Sequence, residues 1–493
     1  METPDNTFTI DDEARISYLL TEAQNAFQSW KNLSLKERGK YLLAIRDIVY
    51  QKKEEISEII SKTCGKPRVE ALTAEVIPVL DFIPYFVKKA PSILKDKSLP
   101  LHLLKYKKSF LTYDPYGVVA ILSPWNYPFS IAMGEVVLAL LVGNTVILKV
   151  SEAVFPVAKI IKEIGELAHL PKGVLNVSFG DGKIGSLIVS SPQIQKISFT
   201  GSTGVGQKIL EQAAKNMTPC LLELGGKDAA IVCHDADLKK AAQGIVWGAF
   251  SNAGQVCASV QRVYVARSVV QAFTEKVVAE TEKLKLKKDI GAITLLSQMT
   301  RYELQLEEAV RRGAKILVGG RQEGNYFYPT VLVNVTQDMK IMKEETFGPF
   351  LPIMMVDSEE EAIRLTNDSS FGLCASIWTK DVSRGINLAR KIEAGTITIN
   401  DCVYTHALCE TPWGGYKKSG LGRTHSALGL LEYVQVKHIN SDRISLKPFW
   451  WFPYTERSGE MATAFADIIG SPSYFKKAKA FFSFLKNYIK LLF

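Results

Sequence analysis

With 493 residues, 47% of them hydrophobic and 23% charged, the chain is long enough for two or three domains and apolar enough to give each a core, which excludes a largely disordered protein. The net charge of +9 is uneven: residues 441–493 hold eight Lys/Arg against four Asp/Glu, so a basic, aromatic tail supplies +4 of it, and the excess suits an anionic surface rather than a nucleic acid. Seven cysteines without a Cys-x-x-Cys pair, six scattered histidines, an acidic, polar N-terminus and no apolar run beyond 136–148 argue against a disulfide framework, a metal site, a secretory leader and a spanning helix, and for a reducing, cytoplasmic setting.

The first segment reads as a helix with Ile16, Leu19, Leu20, Ala23 and Phe27 on one face, and Ser-Leu-Lys-Glu at 34–37 reads as a capping box opening a second. Residues 99–113 alternate loosely, as a strand or an extended arm. From Gly117 the texture changes. Short β-like runs at 118–122, 146–148, 174–177, 196–199 and 229–232 are separated by helical patterns. That alternation predicts a parallel sheet covered by helices, with ligands beyond the carboxyl ends of its strands. A second region of the same kind runs from Gly254 to about Tyr433, so the predicted fold class is α/β with two such domains.

The chemistry-bearing motifs follow in chain order. The amide of Asn126, in Ser-Pro-Trp-Asn-Tyr-Pro at 123–128, can donate to an oxyanion, or the stretch is a Pro-rich turn. Lys149 and Glu152 can clamp the hydroxyls of an adenine ribose, where a carboxylate favours NAD over NADP; otherwise they are a surface pair. Phe-Thr-Gly-Ser-Thr-Gly-Val-Gly at 199–206 is a pyrophosphate-cradling loop or a plain strand-to-helix turn. Glu223, in Leu-Glu-Leu-Gly-Gly-Lys-Asp at 222–228, and Cys257, closing Phe-Ser-Asn-Ala-Gly-Gln-Val-Cys at 250–257, can form a covalent-catalysis pair. Taken singly, Cys257 reads as a packing residue and Glu223 as a partner of Lys227. Glu345 and Phe347, in Glu-Thr-Phe-Gly-Pro at 345–349, can hold a nicotinamide ribose and ring, or form a packed turn; the Gly-rich loop 413–423 reads as structural.

Together, and in this order, the motifs closely resemble the aldehyde dehydrogenase superfamily over roughly residues 14–440, down to the separation of 34 between Glu223 and Cys257 (257 − 223). The resemblance implies a Rossmann-like NAD domain (1–98 and 116–224), a catalytic α/β domain (225–433), a β-arm for subunit pairing (99–115 and 434–442) and a homodimer or homotetramer. It implies Cys257 as nucleophile, Glu223 as general base, and the Asn126 amide with the Cys257 backbone N–H as oxyanion hole. It implies that Trp125, Lys149, Glu152, Gly201, Ser202, Thr203, Gly204, Val205, Gly206, Leu224, Glu345 and Phe347 hold NAD, with NADP disfavoured and no metal. Retention of Glu223 argues against a CoA-acylating member. Residues 284–292 lack the customary Gly-Asp-Pro, which predicts a trimmed loop.

The family pattern does not account for a tail at 443–493. As a helix, residues 473–493 gather Phe475, Ala478, Phe482, Leu485 and Ile489 on one stripe beside lysines with no acid among them, which suits a helix lying on anionic lipid; packing on the protein itself or on a neighbouring subunit is the other reading. Asn-Asp-Cys-Val at 400–403 is similar to the fatty-aldehyde branch. The expected activity is oxidation of an apolar or long-chain aldehyde to its acid by an enzyme peripheral to a membrane. A semialdehyde dehydrogenase for a small charged substrate, or a non-catalytic membrane-associated scaffold, are the alternatives.

Overall fold

The computed structural model describes residues 10–445 and 447–492. The polar N-terminus that carried the reading against a leader, and Phe493 at the end of the predicted tail helix, lie outside them. The chain forms two compact units, residues 1–95 with 113–435, and residues 96–112 with 436–493.

The larger unit contains two large sheets, beside two two-stranded ones at Gln322–Glu323 with Tyr326–Phe327 and at Phe371–Gly372 with Tyr416–Lys417. In the first, Val118–Ser123 lies parallel to Thr145–Val150 on one side and to Lys196–Thr200 on the other. Leu175–Ser178 extends it beyond Thr145–Val150, and Cys220–Glu223 beyond Lys196–Thr200, with Gly420–Leu421 as an antiparallel edge. Val118–Ser123 and Thr145–Val150 are buried at every position, as expected of strands covered by helices on both faces. Strand order reverses beside Val118–Ser123, so the loops 124–129 and 201–206 flank a crevice at the carboxyl edge. The second sheet runs Lys315–Val318, Thr330–Val333, Phe350–Val356, Val260–Ala266, Asp228–Val232, Cys374–Trp378, Thr396–Ile399, parallel throughout except for its first strand.

The first helix, Glu13–Trp30, buries Ile16, Leu19, Leu20 and Ala23 as its periodicity predicts, but Phe27 is only half-buried. Ala26 and Trp30 complete the face, and the Trp30 indole N–H donates to the Leu140 carbonyl at 3.1 Å, a polar anchor that Phe27 cannot supply. The Ser34–Glu37 capping box forms and opens Leu35–Gln51.

The smaller unit holds most of a three-stranded sheet of Lys97–Ser98, Lys107–Pro115 and Val434–Asp442. The strand or arm expected over 99–113 is thus shorter at its start: the chain turns at Leu104, whose φ is 53°. Two helices follow, Glu456–Gly470 and Tyr474–Leu492, the first opened by a Thr455–Ser458 capping box. They pack through Phe465 against Phe484 (5.8 Å between ring centres), with Phe449 5.4 Å from Phe484. Met461, Ala464 and Ala480 are buried. The predicted stripe points away from this contact: Phe475 is 80% exposed and Phe482 68%, with Leu485 and Ile489 also exposed. Among the described residues no helix is long and apolar enough to cross a membrane.

Candidate active site

Cys257 follows a turn, Ser251–Gly254, in which Asn252 (φ 48°), Ala253 (φ 54°) and Gly254 (φ 73°) are all left-handed. Such a run is costly for non-glycine residues and persists only where the surroundings fix it. Here the Asn252 backbone N–H donates to both oxygens of Glu70 (3.0 and 3.1 Å). The Gln255 carboxamide donates to the Ala292 carbonyl and accepts from the Thr294 N–H. A Cβ at Gly254 would lie 2.2 Å from the Gly348 carbonyl oxygen, so only glycine lets these two backbones meet. Burial, then the charges of Asp228, Glu223 and Glu345, push the Cys257 thiol up, opposed by the Ala258 backbone N–H. The resting thiol is therefore held mostly protonated, and attack draws on its thiolate fraction.

Glu223 ends the strand Cys220–Glu223 and lines the same cavity as Cys257. Its Oε1 is buried without a hydrogen-bond partner. Burial raises its carboxyl well above the usual range, and the Glu135 charge adds to this, while Arg423 and a hydrogen bond with Trp413 oppose it. Lys227 is not its partner: that ammonium bonds Gln261 and Thr346, each at 3.2 Å. The Gly-rich loop turns out to shape the cavity, because a Cβ on Gly414 would come within 2.9 Å of Glu223 Oε1 and Trp413 forms part of the wall.

Asn126 sits on the loop after Val118–Ser123. One N–H of its amide donates to the Gln255 carbonyl at 3.0 Å, which aims the carboxamide along the Cys257 turn. Its own carbonyl accepts from the Lys66 ammonium (2.6 Å) and from Asn252 (3.1 Å). Lys66 pairs in turn with Glu75 at 2.7 Å, both side chains fully buried, and Glu75 accepts from the Phe129 N–H at 2.8 Å. The loop is thereby held by a closed polar network, which rigidifies when every member is satisfied.

A second cavity meets the first at Cys257. Trp125, Asn126, Gly201, Ser202, Leu224, Gly225, Glu345 and Phe347 line it. Trp125 and Phe347 stand edge to face at 5.4 Å, and the Tyr302 hydroxyl pins the Phe347 carbonyl at 2.6 Å. Glu345 accepts from the Gly226 N–H at 3.1 Å. Thr203, Gly204, Val205 and Gly206 form the first turn of the helix Thr203–Ala214, whose N-cap residue Ser202 makes no side-chain cap, leaving the N-terminal N–H groups for a ligand. Lys149, buried at the end of Thr145–Val150, reaches Glu152 at 3.5 Å. The structure thus gathers Trp125, Asn126, Gly201, Ser202, Leu224, Glu223, Cys257, Glu345 and Phe347 around two joined cavities, and puts Lys149 on the adjacent strand of the same sheet and Glu152 at the start of the short helix Glu152–Val154 that follows it.

Sequence reasoning missed the far wall of the first cavity, made by Phe82, Glu135, Leu138, His406, Thr424 and His425. Burial pushes the His406 imidazole down to about 4 and His425 well below its ordinary value, so both are uncharged at neutral pH. Only Glu135 had a visible signal, as the one charged residue in the otherwise apolar helix Ser130–Leu141.

The aldehyde dehydrogenase family model matches residues 5–439. The chain is 38% identical over 471 residues to a 4,4'-diapolycopene aldehyde oxidase of Methylomonas sp, covering 94% of this chain and 88% of that one. It is 36% identical to the peroxisomal aminoaldehyde dehydrogenase 1 of Pisum sativum, covering 86% of each. Among solved structures, a betaine aldehyde dehydrogenase from Staphylococcus aureus in complex with NAD+ superposes with a TM-score of 0.85 at 30% identity, over 90% of this chain and 92% of that one. A strained cysteine turn, a buried glutamate lining the thiol's cavity and two cavities meeting at the thiol accompany a match over nearly the whole length: the chain belongs to the aldehyde dehydrogenase family.

Proposed function

We propose that the protein oxidises an apolar aldehyde to its carboxylic acid through a thioester on Cys257, with NAD as the hydride acceptor. The meeting of the two cavities at Cys257, one holding Glu223 and the other Asn126, carries this reading. Cys257 adds to the carbonyl as the thiolate, its proton having left to solvent, and the Asn126 amide and the Cys257 backbone N–H receive the developing oxyanion. After hydride loss leaves the thioester, Glu223 takes a proton from water as it attacks.

The residues fit NAD. The uncapped start of Thr203–Ala214 suits a pyrophosphate, and Lys149 with Glu152 suits two ribose hydroxyls, where the carboxylate would repel a phosphate. Glu345 would take the second ribose, and Trp125, Leu224 and Phe347 would bound the ring. The two sheets support a division into an NAD domain and a catalytic domain, and the sheet built on Lys107–Pro115 and Val434–Asp442 is offered as the subunit-pairing arm of a homodimer or homotetramer.

The substrate class rests on the first cavity. Phe82, Ile131, Leu138, Trp413 and two neutral histidines line it, its only charges are carboxyl groups, and no lysine or arginine is among its lining residues to receive a semialdehyde's carboxylate. Rates of NADH formation should favour decanal over succinate semialdehyde by about tenfold or more in kcat/KM. The opposite preference would remove the apolar reading.

The tail supports a membrane-surface reading. The stripe of Phe475, Phe482, Leu485 and Ile489 is exposed within its unit, and Lys476, Lys479, Lys486 and Lys490 surround it. In flotation on vesicles containing phosphatidylserine, the full chain should rise with the lipid and a chain lacking residues 473–493 should stay at the bottom. Equal flotation of the two would end this reading.

A further inference from the structure

Lys66 has no place in the steps above, although its fully buried ammonium touches the residue that receives the oxyanion. It donates to Glu75 Oε1 at 2.7 Å and to the Asn126 backbone carbonyl at 2.6 Å, and the centre of the Tyr127 ring lies 4.1 Å from it. A buried lysine–glutamate pair adds little net stability over an apolar pair of the same volume, so stability alone does not account for the charge. Its position does. The Asn126 carbonyl also accepts from the Asn252 side chain, at 3.1 Å. The Asn126 and Asn252 amides then both donate to the Gln255 carbonyl, at 3.0 and 3.2 Å. The loop that carries Asn126 and the turn that carries Cys257 therefore meet at two carbonyl oxygens, and Lys66 brings a full charge to one of them.

We infer that Lys66 is a positioning residue for the oxyanion hole: by holding the Asn126 carbonyl, its ammonium fixes the Asn126 amide and the Cys257 turn in one frame, so that both donors meet the same oxygen. The inference rests on Asn126 and the Cys257 N–H forming that hole. One N–H of the Asn126 amide is spent on Gln255, which leaves the other for the oxyanion. Once the backbone carbonyl and the first N–H are both held, the direction of the second is set. A donor fixed in this way pays no reorganisation when charge develops, and a charge-assisted bond holds it better than a neutral one.

The surroundings agree. The segment that carries Lys66 is itself pinned: the Gly65 carbonyl accepts from the Ala292 N–H at 2.9 Å, the Cys64 carbonyl from the Thr294 hydroxyl at 2.7 Å, and the Lys66 carbonyl from the Ser61 hydroxyl at 2.7 Å. Gln255, two residues before Cys257, bonds the same pair, Ala292 and Thr294, through its carboxamide. Lys66 also acts on the other support of the turn. Burial raises the Glu70 carboxyl, and the Asn252 N–H and the Lys66 charge oppose that rise, which helps Glu70 stay ionised under the left-handed residues.

The test uses the full chain carrying Glu223→Gln, in which turnover stops at the thioester, so that the NADH burst with saturating NAD and decanal reports carbonyl addition and hydride loss alone. Lys66→Met with Glu75→Gln, added to it, removes both charges at nearly constant volume and keeps an acceptor for the Phe129 N–H. The burst rate constant should fall by about tenfold or more, while its amplitude stays at about one NADH per subunit. A merely structural role would do the reverse, lowering the amplitude as sites are lost and leaving the constant of the remaining sites alone; that result, or no change in either, overturns the proposal. If the variant does not melt cooperatively, Lys66→Gln decides: its neutral amide ends one bond short of the ammonium's place and should give a smaller fall in the same constant, and an unchanged constant overturns the proposal. Asn126→Ala in the same background should slow the burst by roughly 10²–10³-fold. An undiminished burst there brings down the oxyanion reading and this inference with it, whereas a slow Asn126→Ala beside a fast Lys66 variant brings down the inference alone.

Discussion

Replacing Glu223 with Gln should give a protein that makes about one NADH per active subunit in a burst and then stalls, with steady-state turnover down by roughly 10²–10⁴-fold. The amide fits the same space beside Gly414, where Glu223 Oε1 lies so close that nothing larger than glycine is tolerated. It cannot accept a proton from water, so the thioester accumulates. Thiol attack survives better than hydrolysis, because attack can proceed from the small thiolate fraction that solvent maintains. Full steady-state turnover in this variant would remove Glu223 from the mechanism.

Cys257→Ala should abolish both phases, a loss on the order of 10⁵-fold or more, since the removed atom forms the covalent bond. Neighbouring sulfur cannot substitute. Cys374 lines neither of the two cavities at Cys257, and burial followed by the charges of Asp228 and Cys257 pushes its thiol well above the ordinary value. NAD binding, read by quenching of Trp125 fluorescence, should be retained, because Trp125, Phe347 and the helix Thr203–Ala214 do not depend on the thiol. A substantial NADH burst from this variant would place the covalent step elsewhere.

Much of the fold was legible because parallel strands buried on both faces announce themselves as runs such as those at 118–122 and 229–232. The motifs around Cys257, Glu223 and Asn126 were legible because Asn126 and Cys257 follow a strand or turn and Glu223 ends a strand, with glycines or prolines beside each. The far wall was not. Phe82, His406 and His425 come from segments more than 300 residues apart, and nothing in a lone aromatic or histidine says which cavity it will face. The network that fixes Asn126 was hidden for the same reason: nothing local marks Lys66 or Glu75, and only the tertiary structure shows them fully buried and paired. Phe27 was misplaced within its helix because periodicity alone does not weigh the hydrogen bond that draws Trp30 inward. In the tail the helical stripe was read correctly, yet the helix pairs with its neighbour through Ala480 and Phe484 on another face.

Sulfur-bound acyl transfer is the claim on which the rest stands. Glu223→Gln mixed with NAD and decanal, quenched after the burst and mapped by peptide mass, should carry a decanoyl group on the peptide containing Cys257, in an amount equal to the NADH formed. NADH appearing with that peptide unmodified, or with the acyl group on any other cysteine, would contradict the account.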